Sequence, residues 1–140
     1  MKNILDYLER TTVCNAWKTA VDDGNICMTW LELQEMSKSI GTALCKRTGR
    51  QKPVVILAEK SAVTLAAMFG VVYAGCFYVL MDTKQPASRL QQILGILDSD
   101  VIVTSEKYLK DLEKLEFKGK VLMAPDLAAE QENEAVLNEI

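Results

Sequence analysis

Four residues stand where this chain could do chemistry: Glu59, Asp82, Thr104 and Asp126 each follow a short apolar run. Carboxylates and a hydroxyl gathered at one end of a set of strands could hold a ligand or a cation, and Asp82 raises the sharpest question. It could be a catalytic group, a ligand, or the punctuation of a turn. An aspartate at a turn bonds nearby backbone N–H groups, so the structural role is the expectation for Asp82. Arg89, one turn into the segment that opens at Pro86, could meet an acidic ligand; as an exposed side chain it is expected to be solvated or paired with Asp82 or Asp98. Several chemistries are excluded. The chain has no histidine, so histidine acid–base catalysis and serine or cysteine nucleophiles activated by histidine are out. Its 7 glycines are dispersed, with no G-x-G and no G-K-S or G-K-T, so no turn lets several backbone N–H groups close on a phosphate. Cys14, Cys27, Cys45 and Cys76 lie far apart without a C-x-x-C pair and read as reduced core cysteines. No residue is assigned a catalytic, cofactor-binding or metal-binding role.

The elements that must place those residues follow from periodicity. "PVVILA", "CFYVLM", "DVIVT" and "KVLMA" are short apolar runs separated by the helix-length segments "SAVTLAAMFGVVYAG", "PASRLQQILGILDS" and "SEKYLKDLEKL". Strands near Val54–Leu57, Phe77–Leu80, Val101–Val103 and Val121–Met123 should therefore form one parallel sheet, with right-handed crossovers and helices on its faces. The fold class is α/β. Ahead of it, Ile4, Leu5 and Leu8 mark a short surface helix, and Asp23-Gly24 between two β-rich runs signals a hairpin flanked by Trp17 and Trp30 as packing residues. Thr29 and Glu32 fit a capping box for a helix whose apolar face is Leu33, Met36, Ile40 and Leu44, with Lys46, Arg47 and Gly49 as stop signals. Tyr73, Phe77 and Tyr78 read as core.

At 140 residues, with 49% apolar and 25% charged residues, the chain suits one soluble domain, 1–125, followed by an acidic tail or linker, 126–140. That tail holds Asp126, Glu130, Glu132, Glu134 and Glu139 with no basic residue and is expected to be a mobile linker or a marginal helix. A net charge of -3 and scattered Lys and Arg argue against a nucleic-acid partner. The charged start "MKNILDYLERTT" is unlike a signal peptide and no apolar run spans a bilayer, so no membrane partner and a cytoplasmic location are expected.

Several segments in order carry a resemblance. "MTWLELQEMSKSIGTAL" resembles the opening conserved segment of the adenylate-forming superfamily, which includes acyl-CoA synthetases, nonribosomal peptide adenylation domains and D-alanine carrier-protein ligases. "VVILAEKSAVTLAAMFGVVYAGCFYVLMDTKQPASRLQQILGILDSDVIVT" is similar to its continuation: a strand, a buried helix ending in Ala-Gly, a strand ending on Asp, a Pro-x-x-Arg-Leu helix start, and a strand ending in Thr. The resemblance covers Ala16 to Ser105, and it departs at Leu80 and Thr83, where the family commonly has proline. It implies the N-terminal subdomain of an ATP-dependent ligase that joins a carboxylate to AMP and passes the acyl group to coenzyme A or a carrier-protein thiol. ATP and Mg2+ would serve the intact enzyme and none is expected in this piece. Its phosphate loop, magnesium-binding glutamate and mobile-domain lysine would lie further along, so the chain alone is expected to be inactive and to need the remainder of a parent enzyme.

The alternative is a stand-alone α/β regulatory module, because Glu59, Asp82 and Thr104 also resemble the acidic site of a phosphorylated receiver. That site needs an acidic pair after its first strand and a lysine after its last, where this chain has Glu59 alone and "APD". One segment adds an expectation about surfaces. From Ser61 to Gly75 no charge interrupts the apolar residues, so this helix should be buried all round. Ala66, Gly70 and Ala74 would admit a close neighbour on one side, leaving an apolar patch near Met68 to be covered by self-association or by the chain's own terminal segments.

Overall fold

The computed structural model describes residues 4–48, 51–81, 84–115, 117–130 and 137. Chain order runs α1 (Ile4–Asn15), β1 (Thr19–Asp22), β2 (Cys27–Thr29), α2 (Trp30–Cys45), β3 (Pro53–Leu57), α3 (Ala62–Tyr73), β4 (Phe77–Leu80), α4 (Ala87–Leu97) and β5 (Val101–Thr104). A single 3-10 turn, Glu106–Tyr108, then leads into α5 (Leu109–Leu115), β6 (Lys120–Met123) and α6 (Ala124–Ala128). The four apolar runs form one parallel sheet in the order β4-β3-β5-β6. β3 therefore lies inside, with Val54, Val55, Ile56 and Leu57 all buried, which is why its sequence reads as a continuous apolar run instead of an alternation. The Asp23-Gly24 turn closes an antiparallel hairpin of β1 and β2, with Gly24 at φ +90 where a side chain would be strained.

Strand alternation sorts the core into two layers. Val54, Ile56, Val101 and Val103 face α2, α3 and α6, whereas Val55, Leu57 and Ile102 face Leu90 and Leu94 of α4 and Leu112 and Leu115 of α5. The predicted capping box opens α2: Glu32 N–H donates to Thr29 Oγ1 at 3.2 Å and Thr29 N–H donates to Glu32 Oε1 at 2.9 Å. Among the described residues α2 and α3 make the most extensive helix contact, and glycine lets them approach closely. A Cβ built on Gly70 would stand 2.6 Å from Ile40 Cγ2, and one on Gly41 would stand 2.8 Å from Tyr73 Cβ. Within the small-residue line Ala66, Gly70, Ala74, Gly70 thus receives α2.

Several expectations are corrected. α3 is not buried all round: Ala62, Ala66, Ala67, Gly70, Val71 and Tyr73 are buried, but Val63, Leu65, Met68, Phe69 and Val72 are only half-buried. Its neighbours cover one side, and an unbroken apolar sequence cannot say how many neighbours a helix will find. Trp17, in the turn between α1 and β1, is 81% exposed, and Phe77, on the edge strand β4, is 50% exposed. Of the cysteines only Cys76 is buried, while Cys14 and Cys27 are exposed. α1 continues past the predicted run to Asn15 and buries Leu8 and Thr12, so it is a packed element as well as a surface one. Of the segment expected as a mobile linker or a marginal helix, residues 126–128 belong to α6, whose Leu127 joins the core, Leu137 packs beside Gly41 of α2, and residues 131–136 and 138–140 lie outside the described residues.

Candidate functional site

In an open parallel sheet, ligands bind beyond the carboxyl ends of the strands. There the chain forms an open cavity of about 490 Å3 between β3, β4 and the start of α3. Ile56, Leu65, Met68, Leu80 and Met81 supply its apolar wall; Glu59, Lys60, Ser61, Thr64, Lys84 and Tyr108 supply its polar rim. Of the four residues singled out by position, Glu59 lines this cavity, and Thr104, which does not, sits at the neighbouring strand end. Thr104 is fully buried and its Oγ1 donates to the Leu57 carbonyl at 2.6 Å, tying the end of β5 to the end of β3. Next to it, Ser105 Oγ donates to Glu59 Oε2 at 2.6 Å. That hydrogen bond stabilises the ionised carboxyl and, with Glu59's own backbone N–H, outweighs partial burial, holding Glu59 below the usual carboxylate range. Glu59 and Thr104 therefore act as ties between strand ends. Asp126 is exposed in the first turn of α6 and does not line the cavity, Arg89 is exposed on α4, and Asp82 lies outside the described residues.

A feature that sequence reasoning missed decides the character of this site. α3 begins in the cavity, capped by Ser61, whose Oγ accepts from Thr64 N–H at 3.1 Å, while Thr64 Oγ1 donates to the Glu59 carbonyl at 2.7 Å. Ala62 N–H is one of the first-turn amides of α3 that have no partner within the helix, the kind of donor an anion can take at a helix start. It is already used: it donates to Asp23 Oδ2 at 2.8 Å. Asp23 belongs to the β1–β2 turn, where its other oxygen also accepts from Asn25 N–H at 2.8 Å and Ile26 N–H at 2.7 Å. These backbone donors, Ala62 first, hold the Asp23 carboxyl below its ordinary value. The D-G signal identified the turn, but nothing local shows that it reaches a helix 39 residues away.

Among the described residues no group of three or more His, Cys, Asp or Glu comes together as a metal ion would require. The receiver-like arrangement therefore finds no acidic cluster among them, and no helix of the described residues is long and apolar enough to cross a membrane.

Comparison with known proteins agrees with the fold. The model of the family described as AMP-binding enzyme matches residues 8–139. The nonribosomal peptide synthetase otaB of Aspergillus niger is 31% identical over 113 residues, covering 80% of this chain and 6% of that synthetase. Apicidin F synthase of Gibberella fujikuroi is 34% identical over 104 residues, covering 74% of this chain and 2% of that protein. Among solved structures, the nonribosomal peptide synthetase FmoA3 superposes with a TM-score of 0.79 at 25% identity, over 89% of this chain and 13% of that one. The benzoate CoA ligase of Burkholderia xenovorans LB400 superposes with a TM-score of 0.84 at 19% identity, over 94% of this chain and 29% of the ligase. The chain spans a small part of every one of these proteins. Its strand–helix order, its parallel sheet and the match over residues 8–139 agree, and the chain belongs to the AMP-binding enzyme family of adenylate-forming ligases.

Proposed function

We propose that this chain is the N-terminal α/β subdomain of an ATP-dependent carboxylate ligase. The observation that carries the reading is the family match over residues 8–139 on a sheet whose strand ends hold ties and caps in place of an assembled catalytic group. The whole enzyme would join a carboxylate to the α-phosphate of ATP, releasing pyrophosphate, and then transfer the acyl group to a thiol of coenzyme A or of a carrier-protein arm, releasing AMP. Two observations support placing Mg-ATP outside this chain. The Ala62 amide at the start of α3 is bonded to Asp23, and the described residues offer no acidic cluster for the metal. No step of the reaction is assigned to the described residues. The role left to them is a scaffold: the sheet and α2–α3 pair present an apolar face around Met68 to the remainder of a parent enzyme. Neither nucleic acid nor a membrane is proposed as a partner, and the proposed location is the cytoplasm.

The test is carboxylate-dependent exchange of labelled pyrophosphate into ATP. The chain alone should give none, and an adenylation domain of a relative whose corresponding segment is replaced by this chain should give exchange above background. Exchange by the chain alone would overturn the inactive-subdomain reading. A folded chimera without exchange would count against its place in a ligase.

A further inference from the structure

Of the aspartates in this chain only Asp23 is followed by glycine. In that pair the next backbone amide reaches the aspartate's carboxyl carbon with least hindrance, because glycine has no side chain in the way. Gly24 has no atom within 4 Å of where a Cβ would stand, so the turn is open on that side. Both reacting groups are nevertheless occupied. Gly24 N–H donates to Asp22 Oδ1 at 3.0 Å. Asp23 Oδ1 accepts from Asn25 N–H at 2.8 Å and Ile26 N–H at 2.7 Å, and its Oδ2 accepts from Ala62 N–H at 2.8 Å. The donors on Asp23 favour its ionised form, and a carboxylate is a poor electrophile whose oxygen cannot leave as water without a proton. Three of these four bonds lie within the turn. The Ala62 bond alone belongs to the tertiary fold, since it joins residues 39 apart.

We propose that Asp23–Gly24 is a modification site at which isoaspartate forms when the turn leaves α3, and that the Ala62 N–H holds it closed in the folded chain. The chemistry needs only water. Gly24 N attacks Asp23 Cγ; an N–Cγ bond forms, a Cγ–O bond breaks, and the amide proton leaves with the carboxyl OH as water. Water then opens the cyclic imide. Cleaving the new N–Cγ bond restores aspartate, whereas cleaving the original bond between Gly24 N and the Asp23 carbonyl carbon routes the main chain through Cβ and Cγ and leaves a free carboxylate on Cα. The isomerised turn is an atom longer, and its carboxylate sits one carbon short of the side chain that bonds Ala62 in the native turn. It therefore does not re-form that contact, and the Ala62 amide, next to Ser61 on the cavity rim, loses its partner. Local opening of the turn, not global unfolding alone, sets the rate. This site stands whether or not the ligase reading holds.

The test incubates the folded 140-residue chain at neutral pH beside the same chain unfolded in guanidinium chloride. Peptide mapping by mass spectrometry with electron-transfer fragmentation then distinguishes isoaspartyl from aspartyl peptides. Isoaspartate should arise first at Asp23 in the unfolded chain, and about tenfold more slowly or less in the folded one, as expected for a carboxylate that loses a charge-assisted hydrogen bond on opening. Ala62→Pro removes the N–H at the first position of α3, where proline suits a helix start and where Ser61 is already extended as a residue before proline must be. It should raise the folded-chain rate at Asp23 about tenfold with an unchanged circular dichroism spectrum, while the rate at Asp98, followed by Ser99, stays the same. If that variant does not fold, amide hydrogen exchange on aged wild-type chain decides: Ala62 N–H should exchange slowly in the aspartyl form and fast in the isoaspartyl form. Isomerisation at Asp23 as fast in the folded wild type as in the unfolded chain overturns the proposal. So does a folded Ala62→Pro no faster than wild type, an isoaspartyl chain whose Ala62 amide stays protected, or isoaspartate that arises first at another aspartate of the unfolded chain.

Discussion

Replacing Gly70 by alanine tests the α2–α3 contact on which the fold turns. In most helix interiors this change stabilises by about 1 kcal/mol, because alanine loses less backbone entropy on folding. Here the new Cβ would lie 2.6 Å from Ile40 Cγ2, 2.8 Å from Ile40 Cβ and 3.0 Å from the Ser37 carbonyl oxygen. Ordinary carbon contacts are about 3.5–4.0 Å, so the helices must part by about 1 Å or Ile40 must leave its rotamer. Ile40 is fully buried and the carbonyl belongs to the backbone of α2, so neither can swing aside. Overpacking a tight core costs about 1–3 kcal/mol, and three fixed contacts place this site at the upper end. Subtracting the helix gain leaves a net loss of about 2 kcal/mol, and with a urea dependence of about 1–3 kcal/mol per molar the midpoint should fall by about 1 M. Gly95 is the control: it sits in α4, exposed, with no atom within 4 Å of an added Cβ, so Gly95→Ala should gain up to about 1 kcal/mol. The two variants are compared by urea unfolding followed by circular dichroism. If Gly70→Ala is as stable as the wild type, or more stable, the close helix contact is wrong.

Thr104→Val should cost about 1–3 kcal/mol in the same assay, because it leaves the Leu57 carbonyl without the donor that ties β5 to β3; a neutral result would reopen a role for this hydroxyl in ligand binding. Asp23 is held below its ordinary pKa in the folded chain, so the stability it adds is complete above the unfolded-state pKa and is lost as pH falls through the folded one. Asp23→Asn should therefore lower stability at neutral pH and flatten the acid limb of a stability–pH curve, and an unchanged limb would show that the Ala62 contact contributes nothing. Calorimetry with millimolar Mg-ATP should show no saturable heat, given the bonded start of α3; micromolar binding would sink the subdomain reading. Thr29→Ala should lose about 1 kcal/mol through the capping box at the start of α2, measured by the shift in thermal midpoint.

Much of this protein is legible in order of appearance along the chain. Continuous apolar runs of strand length alternate with helix-length segments, and that alternation points to a parallel sheet, since crossover helices cover both faces of its inner strands, β3 and β5, while the edge strands β4 and β6 stay partly exposed. The capping box at Thr29 and Glu32, the hairpin at Asp23-Gly24 and the small-residue line on α3 are equally local, because each rests on neighbours one or two turns apart. Burial is different. Phe77 and Trp17 have the composition of core residues, yet what covers them depends on which strand ends up at the sheet edge and where the chain enters the hairpin, and neither is a property of nearby sequence. The candidate site shows the same division. Position alone pointed to Glu59 and Thr104, but their roles as ties between strand ends come from the register of β3 against β5, and the carboxylate that occupies the start of α3 arrives from 39 residues upstream. Sequence determines what each segment can bury and how it can begin or end; only the tertiary structure decides which distant polar group reaches a free backbone donor, because that depends on through-space distances that folding sets.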